Sequence, residues 1–209
     1  GVSVASVINL RDPFENLGAQ LVKGMRETGV HGVAKHFPGH GGVPEDSHHC
    51  LPVDDRSLDT MSESDLAPYR MLDRNALEGI MTCHVLFPVI DSLPATFSRR
   101  WIKGYLRGKL GFKGAVFSDD IVMTGAQGIG TPPARARQAL DAGCDMVLVC
   151  NDPDAVDAIL TAEALSHDKE STQRLEKLYG IQDAPSPTAQ ELKSWVAALE
   201  AVTPVTPAS

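Results

Sequence analysis

Short, nearly all-apolar runs alternate along this chain with longer stretches whose apolar residues recur every three or four positions. The runs are GVAKHF (32–37), GIMTCHVLF (79–87), GAVFSD (114–119) and DMVLVC (145–150). Runs this short and this apolar suit strands buried on both faces of a parallel sheet. The stretches between them suit helices. Asp12 is placed to cap a helix with Pro13 at its first position and Glu15 closing a capping box. Phe14, Leu17, Leu21 and Met25 follow at helical spacing, and Gly29 ends the segment.

Ser62 is read as the start of a second helix, with Leu66, Tyr69, Leu72 and Ala76 on one face. Ser98 starts a third, carrying Trp101, Ile102, Tyr105 and Leu106 and stopped by Gly111. Thr131–Pro132 and Asp152–Pro153 are two further helix starts. Strand and helix in alternation predict an α/β fold with a parallel sheet. Beyond about residue 165 the strand signals stop. Two helices are expected over 166–202, the second with Leu192, Trp195, Val196 and Leu199 along one face. They are joined by the loop QDAPSPTAQ and followed by a disordered end, TPVTPAS.

Composition narrows the class only a little. A chain of 209 residues with 43% hydrophobic and 22% charged residues is ordinary for a globular protein, and aromatics at 5% imply an aliphatic core. A net charge of -8 argues against general nucleic-acid binding, which needs a basic face. No apolar run approaches the ~20 residues that span a bilayer, and the start lacks the charged and apolar regions of a signal peptide. The four cysteines form no C-x-x-C pair and are read as reduced thiols, with Cys83 and Cys150 inside buried strands.

Two clusters carry chemistry. The first lies within residues 35–49, KHFPGHGGVPEDSHH, at the end of a strand and in the loop after it. Parallel α/β folds build their sites at that end. In an extended segment the side chains of Asp46 and His48 leave the same face, so the carboxylate can orient the imidazole and stabilise its charged form. The competing reading is a loop-bracing acid beside solvated histidines. The company of Lys35, His36, His40 and His49 favours the pair. The same residues are metal-ligand types, but Pro38 and Gly39 interrupt the helical turn that His36-x-x-x-His40 would need.

The second cluster is FSDDIVMTG, residues 117–125. Of its adjacent acids one would enter the mouth of the sheet and the other would point away. A carboxylate there is a helix cap, a nucleophile, a general base or a metal ligand. His84 is balanced between a buried bracing role and a substrate contact. Asp152 is read as a helix cap, Arg99 and Arg100 as a solvated face, and PVDDRSLDTMSESD as acidic, helix-initiating and without chemistry.

In order along the chain, KHFPGHG followed by D-S-H, LPVD, FSRRWI, VFSDD and AGCDMVLVCN resemble family 3 glycoside hydrolases, most of all the bacterial beta-N-acetylhexosaminidases of peptidoglycan recycling. The resemblance runs from about residue 10 to about residue 165. It implies a (β/α)8 TIM barrel, with this chain supplying roughly the last four β/α units plus C-terminal helices. Residues 1–165 would be the C-terminal half of the catalytic domain, and 166–209 helices and a disordered tail packing on it. A whole barrel takes about 250 residues, so the earlier half, with its substrate-binding Arg, is absent.

By the same resemblance Asp119 is the nucleophile, His48 the general acid/base and Asp46 its orienting partner. Lys35 and His36 hydrogen-bond the hydroxyls of a terminal N-acetylglucosamine, His40 braces the loop, and Asp120 has no catalytic role. The implied activity is retaining, exo-acting hydrolysis of muropeptides in the cytoplasm, without metal or organic cofactor. A metal-dependent hydrolase and a non-catalytic sugar-binding remnant are the rival classes. A half-barrel of this kind is expected to have little activity alone.

Overall fold

The computed structural model describes residues 14–71, 77–162, 168–179 and 188–202. Its centre is a parallel four-stranded sheet in sequential order: β1 (Val33–Phe37), β2 (Gly79–Thr82), β3 (Ala115–Asp120) and β4 (Met146–Leu148). Sequential parallel neighbours need a crossover after each strand, and helices supply it. These are α1 (Phe14–Glu27) before β1, α2 (Leu58–Glu63) and α3 (Ala67–Met71) before β2, and a π-helix (Arg100–Lys109) before β3. The series continues with α4 (Pro132–Ala142), α5 (Pro153–Thr161), α6 (Lys169–Glu176) and α7 (Ala189–Val202).

Local chemistry explains most boundaries. Gly29 ends α1 at φ 76°, and Val30 N–H donates to the Met25 carbonyl at 2.8 Å, closing the last turn. Asp152 caps α5 by accepting from the Ala155 amide at 2.9 Å, with Pro153 at the first position. The cap expected at Asp12 and Pro13 lies outside the described residues, as does the tail from 203.

The helix assigned to Ser62 starts earlier. Ser57 accepts from the Thr60 amide at 3.2 Å and caps α2, which breaks after Glu63 and resumes as α3 at Ala67. Ser98 does cap the third helical segment, accepting from Trp101 N–H at 3.1 Å. That segment then winds with wider turns, Leu110 N–H reaching back to the Tyr105 carbonyl at 2.8 Å.

The strands are shorter than the apolar runs that announce them. GIMTCHVLF leaves the sheet after Thr82, and its remainder bridges instead to Val53 and Pro94. Cys83 is buried and its thiol is pushed up by that burial. Cys150, expected in a buried strand, is exposed, because β4 ends at Leu148. Met146 of β4 is also exposed, and among the described residues no further strand pairs with the outer edges of β1 or β4.

The core lies between the sheet and its helices. Trp101 is fully buried and meets Phe37, Phe87 and Tyr105 edge-on with ring centroids 5.2–5.9 Å apart. At the start of β4 the buried carboxylate of Asp145 accepts from Arg107 Nη2 (2.7 Å), Arg174 Nη2 (2.8 Å), Ser171 Oγ (2.9 Å) and the Val116 amide (2.8 Å). It thereby joins the π-helix, β3 and α6. Removing one partner of a buried ion pair typically costs about 3–5 kcal/mol, because the remaining charge is left uncompensated. Asp145→Ala is therefore expected to lower urea-unfolding stability by roughly 3–5 kcal/mol. Asp157→Ala, on the exposed face of α5, is expected to stay within about 0.5 kcal/mol.

Candidate active site

Both predicted clusters lie at the carboxyl ends of the strands, on the same side of the sheet. On β1 the pairing with β2 slips by one residue between Lys35 and Phe37. Such an extra residue breaks the in-out alternation of a strand. Lys35 and His36 are consecutively half-buried between buried Ala34 and Phe37, so neither is lost to the core. The peptides Lys35–His36 and Phe37–Pro38 are cis.

On β3 the two acids diverge as the alternation requires. Asp119 is buried, and its Oδ1 accepts from the Asp120 backbone amide at 2.9 Å. Oδ2 faces the imidazole of His36, with 4.0 Å to Nε2, too far for a hydrogen bond. Asp120 points elsewhere. Its Oδ1 accepts from the Val122 and Cys150 amides, each at 3.1 Å, and ties the end of β3 to the segment after β4.

Burial dominates the electrostatics here. It pushes the His36 imidazole down to about 4, against the opposing pull of the Asp119 carboxylate, with the neighbouring Lys35 charge acting in the same sense as burial. His36 is neutral at pH 7. His84 is fully buried and also shifted down by desolvation. Its Nε2–H donates to the Asp120 carbonyl at 2.9 Å, its ring stacks on Phe97 at 5.4 Å, and Nδ1 is buried with no hydrogen-bond partner among the described residues. Of its two readings, the bracing one describes this arrangement.

Asp46 and His48 meet, but through a turn and not an extended segment. The Asp46 Oδ1 accepts from the His48 backbone amide at 2.9 Å and from His48 Nδ1 at 2.6 Å, while the His49 amide donates to the Asp46 carbonyl. These bonds, the backbone one foremost, hold the Asp46 carboxyl below its ordinary range. Because a carboxylate only accepts, Nδ1 carries the hydrogen and Nε2 is the atom free to give or take a proton. The pair is exposed to solvent on its loop. Between the two residues, the Ser47 carbonyl accepts from the Gly125 amide at 3.1 Å, which ties this loop to the segment following β3. His40 lies beside His36, ring centroids 6.5 Å apart.

Sequence reading passed over Arg56. Its guanidinium donates to both oxygens of Asp54 (2.7–3.1 Å) and to Asp65 Oδ2 (2.8 Å), inside the stretch read as without chemistry. A carboxylate-x-Arg spacing was the available signal. Arg99 and Arg100 each hold a neighbouring carbonyl, of Asp141 and Ile90. Among the described residues no group of three or more His, Cys, Asp or Glu is arranged to hold a metal ion. A cavity of about 630 Å³ between α4, β4, α5 and α6 is lined by apolar groups such as Leu140, Val147 and Ile159, and it contains none of these site residues.

The downward shift of His36 has a sign that can be measured. Its folded value of about 4 lies below the unfolded 6.5, so between them the unfolded chain holds a proton that the folded chain lacks. The stabilisation is complete above pH 6.5 and is lost as pH falls through about 4. His84 acts in the same direction. The urea midpoint is expected to fall across this window. His36→Gln should flatten the fall by at most one proton's slope, about 1.4 kcal/mol per pH unit. A slope unchanged by the substitution would assign the fall to other groups.

Residues 11–178 match the family model described as "Glycosyl hydrolase family 3 N terminal domain". A relative from Alkalilimnicola ehrlichii named "Beta-hexosaminidase" is 52% identical over 165 residues, covering 79% of this chain and 47% of its own length. One of the same name from Bordetella avium is 49% identical over 169 residues, covering 81% and 48%. The chain thus spans about half the length of these curated relatives. The crystal structure of NagZ from Neisseria gonorrhoeae in complex with N-trifluoroacetyl-D-glucosamine superposes with a TM-score of 0.73 at 40% identity, over 88% of this chain and 51% of that one. With the family model matching most of its length and its parallel α/β sheet in place, the chain belongs to glycosyl hydrolase family 3.

Proposed function

We propose that this chain carries the catalytic residues of a retaining exo-β-N-acetylglucosaminidase acting on peptidoglycan fragments in the cytoplasm. The observation that carries the reading is the division of labour at the mouth of the sheet. One oxygen of Asp119 is fixed by a backbone amide and the other is open, while a separate loop presents an imidazole whose Nδ1 is tied to Asp46.

Retaining hydrolysis needs an anionic nucleophile at the anomeric carbon and a proton donor at the leaving oxygen. Asp119 Oδ2 attacks and forms a covalent glycosyl-enzyme. His48 Nε2–H gives its proton to the departing oxygen, and in the second step takes one from the water that resolves the intermediate. Asp46 orients the ring and stabilises its charged form. An imidazole serves because the same ring nitrogen can give a proton in one step and take one in the next.

Lys35 and His36 bind the sugar hydroxyls. A neutral His36 suits this place, since a charged ring beside Asp119 would draw off the negative charge that the nucleophile needs. The chemistry calls for no metal or organic cofactor. The names of the relatives and the N-acylated glucosamine bound by the Neisseria protein support this substrate class.

In the same proposal β1 to β4 are the fifth to eighth strands of a barrel, closed in the whole protein by strands that this chain does not supply. Residues up to about 165 belong to that barrel, and the later helices pack on it, as the bonds of Arg174 and Ser171 to Asp145 support. With the outer edges of β1 and β4 unpaired among the described residues and the remaining strands of the sugar site outside it, the 209-residue chain alone turns over little substrate.

The test joins this chain to the part of the Bordetella avium relative that it does not cover. Such a chimera is expected to hydrolyse a chromogenic N-acetylglucosaminide and to be trapped by a mechanism-based fluoro-sugar on Asp119. An adduct on another residue refutes the nucleophile assignment. In the same background His48→Ala is expected to cost on the order of 10²–10⁴-fold with poor leaving groups and much less with activated aryl glycosides. Equal losses for both would remove His48 from the acid role.

A further inference from the structure

The loop between β1 and α2 holds the Asp46–His48 pair at its exposed end, yet the loop rests on a half-buried guanidinium held by two buried carboxylates. A Cβ built on Gly42 would overlap the guanidinium of Arg56, and one built on Gly39 would overlap Asp65. Gly42 has no unusual φ, so close approach and not backbone conformation requires a glycine there. The guanidinium is in turn unable to move aside. Asp54 takes it in fork-to-fork fashion through Nε and Nη2, and Asp65 takes the other arm through Nη1. Both carboxylates are almost fully buried, at 3% and 5% side-chain exposure. Burial opposes ionisation of Asp54, but the Arg56 bonds outweigh it and hold that carboxyl below its ordinary value.

Each group has its own tether to the framework. The Asp54 amide donates to the Leu86 carbonyl at 2.9 Å, beyond the end of β2. Ser64 Oγ donates to Asp65 Oδ2 at 2.9 Å, at the break between α2 and α3. The far end of the loop is anchored separately, by the bond from Gly125 N–H to the Ser47 carbonyl. The loop is therefore pinned at two places on either side of Val43–Asp46, one an ion-pair seat and one a backbone bond to the segment after the nucleophile's strand.

The geometry points to Arg56 as a positioning residue: held between Asp54 and Asp65, it forms the seat on which Gly42 rests, and so sets where the loop presents His48. This deepens the reading of Asp46–His48 as the proton-transfer unit and rests on it for its functional meaning. Arg56 touches no substrate and acts only through the loop. A lysine cannot reproduce it, because an ammonium lacks the planar fork that grips Asp54 through two parallel bonds, reaches Asp65 with the other arm and lies flat beneath a glycine.

Amide hydrogen exchange on the intact chain, read residue by residue by NMR, tests the seat without using activity. Gly42→Ala and Arg56→Lys are each expected to speed exchange at the His49 and Gly125 amides by about tenfold or more, while the sheet amides of Ile80 and Val116 keep their rates. The low-field Nδ1–H resonance of His48, protected by its short bond to Asp46, is expected to broaden in both variants. The decisive comparison is the double variant. Once Arg56 is lysine, the alanine at 42 has nothing to overlap, so its effect should vanish and the double should match Arg56→Lys alone.

Additive effects, unchanged exchange at His49 and Gly125, or equal acceleration in the sheet would each overturn the seat. The outcome is independent of whether His48 is the acid. If His48→Ala fails its leaving-group test while the exchange results hold, the functional reading falls and the seat stands. If the reverse happens, the acid assignment stands and Arg56 has no positioning role.

Discussion

Parallel pairing in step across β1, β2 and β3 is the constraint on which the site depends. Val33 pairs with Gly79 and Gly79 with Ala115, which brings the three strands to a common level. Gly79 is where the step is enforced, since a side chain there would press within 2.9 Å of Val33 and 3.1 Å of the Phe117 ring. From that level each strand runs in the same direction to its carboxyl end, and this carries Lys35 and His36 on β1, and Asp119 on β3, to the mouth. A slip of one residue on β3 would exchange buried Asp119 for Asp120. The chemistry is thus set first by hydrogen-bond register and only then by side-chain identity.

Burial then differentiates groups that the sequence presents as equals. Seven histidines are present, and among the described ones the surroundings of three set them apart. His84, enclosed against Phe97, spends its one N–H on the Asp120 carbonyl and braces the end of β3. His36, half-buried beside Asp119, is kept neutral because desolvation outweighs the carboxylate. His48, in solvent and tied to Asp46, keeps Nε2 available. The two acids of the SDD segment separate in the same way, Asp119 held by a single amide and Asp120 spent on two backbone amides that join β3 to the chain beyond β4.

Much of the framework was legible beforehand. The apolar runs located each strand among the described residues, because a strand covered on both faces leaves little room for polar residues. The Gly29 stop, the Asp152 cap and the Ser98 cap were legible too, since such signals act within a few residues of chain. Strand lengths were not. Apolar residues continue past Thr82 because that segment is buried against Val53 and Pro94 without belonging to the sheet, and burial alone does not distinguish the two. The start of α2 was misplaced by a competition between serines, decided for Ser57 by its bond to the Thr60 amide.

The sequence by itself determined the strand–helix alternation, the family and the identity of the residues at the strand ends, because period, capping and motif are properties of neighbouring positions. It also contained the Asp46–His48 contact, which is closed by a local turn, although in a conformation other than the extended one expected. Only the tertiary structure decided that Asp119 faces His36, that His36 is neutral, and that Arg56 lies between Asp54 and Asp65 beneath Gly42. Those outcomes depend on packing between segments far apart in the chain and on the loss of water around charged groups. Neither is written in the order of residues along any one segment.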